Sequence, residues 1–202
     1  MLEVATSSNL WVNLFIMVLC APVAEELIFR KLLIDRLAQY GEGVAVLFSG
    51  LMFGLFHGNL NQFVYAFVLG LCFGFIYVKT GNIRYTIGLH MLVNFLGSVL
   101  GVAILKWLGD DFLSIASDPA GMMSYVTGNF GKLIVYFIYI FLLLGVAIAG
   151  IILFIVNLKK IRFLPGMNTI PKGKRFSTTV LNVGMALYMI VWIVIIIVQL
   201  FQ

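Results

Sequence analysis

Apolar residues gather in six blocks, at about 9–37, 44–58, 61–79, 83–107, 132–157 and 178–201, separated by short stretches carrying glycine, lysine and arginine. An α-helix needs about 20 mostly apolar residues to cross a bilayer, and most of the blocks approach or exceed that. The weak, alternating segments of about ten residues that mark a transmembrane β-barrel are missing. The pattern therefore predicts an all-α, polytopic transmembrane bundle of about six spans. A single integral-membrane domain is expected over 1–202, with its chemistry in a core at 22–94 and scaffold helices over 131–202.

Composition strengthens this reading. The 202 residues are 62% hydrophobic and 10% charged, against about 45–50% and about 25% in soluble domains. The net charge of +5 would suggest nucleic acid in a soluble protein, but here it reports orientation. Arg30, Lys31, Arg36, Lys79, Arg84, Lys159, Lys160, Arg162, Lys172, Lys174 and Arg175 fall on one side of six alternating spans. Basic loops stay in the cytoplasm, so a multi-pass protein of the cell membrane is expected, with loop 158–178 cytoplasmic and both termini outside. Lys106 and Lys132 fall on the other side, beside Asp110, Asp111 and Asp118. The stretch 112–130 reads as an external loop, and 158–177 as a solvated basic one. Cys20 and Cys72 read as buried, unpaired thiols within apolar helices. The N-terminus lacks a basic leader and does not read as a removable signal peptide.

Glycines add a packing signal. Gly50, Gly54 and Gly58 recur every four residues, as do Gly70 and Gly74, and Gly97 and Gly101. Small residues at that spacing let helix backbones approach closely in lipid. The second, third and fourth blocks are thus expected to pack tightly with the first, while the last two form a wall facing lipid.

Against this background a few polar residues stand out at membrane depth: Glu25, Glu26, Arg30, His57, His90 and Asn94. A charge near mid-bilayer costs at least ~2.5–3.5 kcal/mol, so such groups default to a functional reading with a named partner. Glu26 and Arg30 are four residues apart and share a helix face, so they can pair. Glu25 is rotated ~100° from Glu26 and is left available as a general base. Phe53 lies one turn before His57 on the same face. His90 and Asn94 are again four apart, and both can offer N–H donors to one point, as an oxyanion requires. One geometric demand follows: His57 closes the second block on the outer side, so that block must be short, tilted or broken, with 59–62 a re-entrant turn.

Three ordered motifs carry a resemblance. Glu25-Glu26-x-x-x-Arg30, Phe53-x-x-x-His57 and His90-x-x-x-Asn94 resemble those of the CPBP family, the CAAX proteases and bacteriocin-processing (Abi) enzymes, over roughly 22–94. The resemblance implies a glutamate-dependent intramembrane endopeptidase acting on a peptide or membrane-anchored protein, of CAAX, bacteriocin or signal-processing type. By the same carry-over Glu25 activates water with help from His57, His90 and Asn94 steady the oxyanion, and Glu26 with Arg30 holds the first helix. Members commonly carry further transmembrane helices before the first motif, whereas one apolar stretch precedes it here.

Other mechanisms fit the residues less well. No His-Glu-x-x-His occurs, which disfavours a zincin. The water–glutamate mechanism requires no cofactor, yet Glu25, His57 and His90 could form a two-histidine, one-carboxylate zinc site, the metalloprotease alternative. No nucleic-acid partner is expected. A non-catalytic alternative is a membrane immunity or interaction protein that uses the polar cluster only to assemble helices.

Overall fold

The computed structural model describes residues 9–109, 112–115, 119–168, 170–174, 177–178 and 181–201. Long helices dominate: α1 (Leu10–Tyr40), α2 (Glu42–Phe56), α3 (Leu60–Thr80), α4 (Ile83–Leu108), α5 (Pro119–Asn157) and α6 (Val183–Leu200). All but α2 are long and apolar enough to cross a membrane, and the protein is an all-α polytopic bundle. α2 has 15 residues. At 1.5 Å per residue it is roughly 22 Å long, short of the ~30 Å hydrocarbon core. This is the shortness that the position of His57 demanded.

Several boundaries differ from the sequence reading. The stretch 112–130, expected as a loop, is largely helical, because α5 starts at Pro119. Proline suits the first position of a helix, where its missing N–H is not needed. The helix kinks at Asn129 (φ −126°, ψ 24°) before entering its apolar run. α6 starts at Val183 rather than near 178, where Asn182 Oδ1 accepts from Met185 N–H at 2.9 Å. Residues 60–62 already belong to α3, so the turn after α2 is confined to about 57–59. Gly58, at φ +62°, ends α2 in a conformation that favours glycine. Asn59 then caps α3, its Oδ1 accepting from Asn61 N–H at 2.8 Å. Cys20 and Cys72 are free but exposed, not buried, and so face outward on their helices. Asp110, Asp111, Asp118 and Arg175 lie outside the described residues.

α1 is not a uniform α-helix. Seven residues, Leu14–Cys20, and eight more, Leu27–Ile34, wind as π-helix on either side of Ala21–Glu26. Pro22 has no N–H to give the carbonyl four residues earlier and its ring crowds it. Widening the preceding turn is one way around that obstruction. The widened turns bracket the two glutamates.

The chain divides into two compact units. One is Met1–Cys20 with Met91–Arg162 and the other Ala21–His90 with Phe163–Gln202. In the first, Asn13 Nδ2 donates to Ser98 O at 3.4 Å and Tyr139 Oη to Leu96 O at 2.7 Å. Cross-helix hydrogen bonds thus fix the first part of α1 and the middle of α5 against the second part of α4.

The second unit is built on α2. Its core joins Phe29, Phe53 and Ala66, and a further cluster joins Ile34, Ala45 and Tyr77. Ser49 Oγ donates to Phe29 O at 2.8 Å, and Tyr188 Oη of α6 to Met52 O at 2.7 Å. The loop after α5 is not wholly solvated. Pro165 bridges Gly41, Leu164 N–H donates to Glu42 Oε2 at 2.9 Å, and Glu42 also pairs with Lys79. Within this unit the end of α1, the start of α2, the end of α3 and residues 163–168 therefore meet at one end.

The glycine spacing acts where α2 meets α3. A Cβ on Gly70 would lie 2.8 Å from Gly50 Cα, whereas one on Gly88 would meet nothing within 4 Å. Backbone against backbone cannot yield as a side chain can. Gly70→Ala is expected to destabilise by about 1–3 kcal/mol through overpacking. Gly88→Ala should be neutral or stabilising, since glycine inside a helix costs about 0.5–1 kcal/mol relative to alanine. Thermal unfolding in detergent measures both.

Candidate active site

The polar residues of the second unit come from four helices. Glu25, Glu26 and Arg30 project from α1, Phe53 from the last turn of α2 with His57 just beyond it, and Phe73 from α3. His90 comes from α4, within Ile83–Asn94. Each position follows from a local rule. Glu26 and Arg30 share a face by their spacing, and Gly58 stops α2 directly after His57.

Glu26 and Arg30 are completely buried, with Oε2 and Nε 3.0 Å apart. The contact is an ion pair without hydrogen-bond alignment, and Arg30 Nη1 and Nη2 have no acceptor among the described residues. The guanidinium instead lies 4.6 Å from the centre of the Phe53 ring and 5.6 Å from that of Phe73. A cation over aromatic faces is attracted by the ring quadrupole, more so when desolvated.

Glu26 has a second partner that sequence spacing did not reveal. Its Oε1 lies 3.0 Å from His90 Nδ1. An ionised carboxylate only accepts, so His90 Nδ1 carries the proton and donates it. The other ring nitrogen is thereby aimed at Glu25, with Nε2 and Oε2 3.8 Å apart. Two adjacent glutamates thus flank opposite nitrogens of one imidazole. Glu26 is a hydrogen-bonding neighbour of His90 as well as a structural partner of Arg30. Glu25 Oε2 is buried and has no hydrogen-bond partner among the described residues.

His57 is held differently. Its Nδ1 lies 2.8 Å from Phe53 O. A carbonyl can only accept, so Nδ1 carries the proton and the neutral ring presents the Nε2 lone pair. Phe53 stands between the histidines, its ring centre 4.9 Å from that of His57 and 5.5 Å from that of His90. The structure therefore brings Glu25, Glu26, Arg30 and His90 into direct contact, and His57 joins through Phe53. Asn94 belongs to the other unit, where its Nδ2 donates to Met17 O at 2.7 Å.

A zinc ion finds no complete ligand set here. Among the described residues no three His, Cys, Asp or Glu side chains stand together closely enough to hold a metal. As placed, Glu25, His57 and His90 do not fit the two-histidine, one-carboxylate arrangement. Sequence spacing alone missed Phe73 and Tyr65. Both lie on α3, where no spaced motif singles them out. Tyr65 sits 6.5 Å from His57 between ring centres.

Comparison with known proteins agrees with the three motifs. The family described as Type II CAAX prenyl endopeptidase Rce1-like matches residues 7–96. A curated relative from Bacillus subtilis (strain 168), named "Putative membrane peptidase YdiL", is 33% identical over 74 residues. That match covers 36% of this chain and 30% of the relative. No solved structure matches.

Proposed function

We propose, from the match of residues 7–96 to the Rce1-like family and the three motifs it contains, that the protein is a glutamate-dependent intramembrane endopeptidase. Its substrate is a peptide or membrane-anchored protein, cut beside the buried carboxylate. The observation that carries the reading is Glu25 Oε2, buried without a partner 3.8 Å from His90 Nε2. A buried carboxylate oxygen left unpaired is where a water would be bound and activated.

In this mechanism a water held between Glu25 and His57 Nε2 attacks the scissile carbonyl carbon, and its proton passes to Glu25. The carbonyl π pair moves onto oxygen. When the tetrahedral adduct collapses, the C–N bond breaks and Glu25 returns the proton to the departing amine. Glu26 keeps His90 oriented through Nδ1. Asn94, one helical turn beyond His90, is assigned to the oxyanion by that spacing. The basic loop between α5 and α6 faces the cytoplasm. No ion takes part in these steps.

The test uses purified protein in lipid micelles with a quenched-fluorescence library of apolar peptides. Cleavage should survive a chelator, and His57→Ala should lower kcat by about 10²–10⁴, the worth of general acid–base assistance. Full activity in His57→Ala would sink the assignment. Equal biological function of Glu25→Gln and parent in cells, with no cleavage by either, would favour a non-catalytic membrane protein.

A further inference from the structure

Four cations lie on the first three helices, and three of them have carboxylate partners. Arg30 pairs with Glu26, Lys31 with Asp35 at 2.8 Å, and Lys79 with Glu42. Arg36, exposed in the last turns of α1, has no such partner among the described residues. It lines one end of a groove of about 360 Å³, together with Ile28 and Leu32 of α1, Met52 and Phe56 of α2, and Tyr188 of α6. That volume lies in the range of small-molecule sites, about 300–1,000 Å³. From Ile28 to Arg36 the groove follows α1 for roughly 10 Å, and Arg36 stands at the end nearer Gly41 and Glu42.

The lining decides what can lie there. Apart from Arg36 and Tyr188 the walls are apolar side chains. Ile28 is 48% and Leu32 55% exposed, on a helix long enough to cross a membrane, so the groove opens toward lipid. Its one hydroxyl, Tyr188 Oη, already donates to Met52 O. A peptide laid along these walls would leave its backbone N–H and C=O groups unpaired, which hydrocarbon surroundings do not tolerate. A hydrocarbon chain has no such groups. At the Arg36 end the demand reverses, because an unpaired guanidinium attracts an anion and its planar fork matches phosphate oxygens.

We propose that this groove is a binding site for an anionic phospholipid, with an acyl chain along α1 and α2 and the phosphate on Arg36. Basic groups between membrane-spanning helices hold anionic head groups in this way. Neither Glu25 nor a histidine lines the groove, and the proposal stands independently of peptide cleavage. The site still borders the turn that carries His57. Phe56 directly precedes that histidine, and Phe29 packs edge-on against Phe53 and Phe56, with ring centres 5.4 and 5.5 Å apart.

The test is native mass spectrometry of the protein in detergent micelles, titrated with dioleoyl phosphatidylglycerol or dioleoyl phosphatidylcholine, alongside thermal unfolding. The parent should retain the anionic lipid about fivefold more strongly, the worth of one basic residue near such lipid. Arg36→Gln should erase that preference while the lipid-free unfolding temperature stays unchanged, since Arg36 has no ion-pair partner to lose among the described residues. Arg84→Gln removes an equal charge outside the groove and should keep the preference. Leu32→Trp, which fills the groove, should weaken retention of both lipids. Equal retention of the two lipids by the parent overturns the proposal. So does a preference that survives Arg36→Gln, or one that Arg84→Gln lowers as much. Retention undiminished by Leu32→Trp, or a second copy or apolar peptide bound in place of lipid, overturns it as well.

Discussion

Glu25→Gln is expected to abolish peptide cleavage while leaving the fold intact. The substitution keeps volume and polarity but removes the negative charge that takes the proton from water. General bases contribute typically about 10²–10⁴-fold to the rate, so kcat should fall at least into that range. Stability should hold or rise slightly, because the parent keeps a buried carboxylate oxygen without a hydrogen-bond partner among the described residues. An ionised group in such a place is costly unless paired. The informative measurement is therefore a pair: turnover in lipid micelles and unfolding temperature of the same sample. Lost turnover with retained stability marks Glu25 as chemical rather than structural. Lost stability would place it in the helix-packing cluster instead.

Glu26→Ala should show the reverse emphasis. Removing one partner of a buried ion pair typically destabilises by about 3–5 kcal/mol, because the other charge is left uncompensated. Here Arg30 would remain fully buried without its ion-pair partner, and its Nη1 and Nη2 have no hydrogen-bond acceptor among the described residues. His90 would also lose its Nδ1 acceptor. The double replacement Glu26→Leu with Arg30→Met separates the two consequences. An apolar pair of similar volume often restores or exceeds the stability of a buried ion pair. The double variant should thus recover most of the unfolding temperature while its peptidase activity stays low, because His90 is no longer oriented. Recovery of both would show that Glu26 acts only by holding α1 in place.

Much of this protein could be read before its structure. Hydropathy alone marks the long helices, since crossing a bilayer imposes a length and a polarity on each segment independent of its neighbours. The basic residues marked one end, and the structure brings Gly41, Glu42, Lys79 and Leu164 together there. Gly50 and Gly70, picked out by four-residue spacing, are a true point of backbone contact. Errors clustered where helices begin. The stretch 112–130 looked like a loop because glycines and polar residues dilute its apolar content, yet α5 already runs through it from Pro119.

Glu25, Glu26 and Arg30 opened the functional question as charges with no obvious right to sit in a membrane. Their residue types, their spacing along α1 and the separate directions of the two glutamates were determined by sequence, because neighbours on a helix are placed by 3.6 residues per turn. Only the tertiary structure decided what each one faces. Glu26 reaches His90 across 64 positions of chain, and Arg30 is enclosed by Phe53 of α2 and Phe73 of α3. Tyr65 reaches the vicinity of His57 because α3 folds back on α2 at Gly58 and Asn59. Such pairings depend on where helices pack, and no periodicity within one helix carries that information.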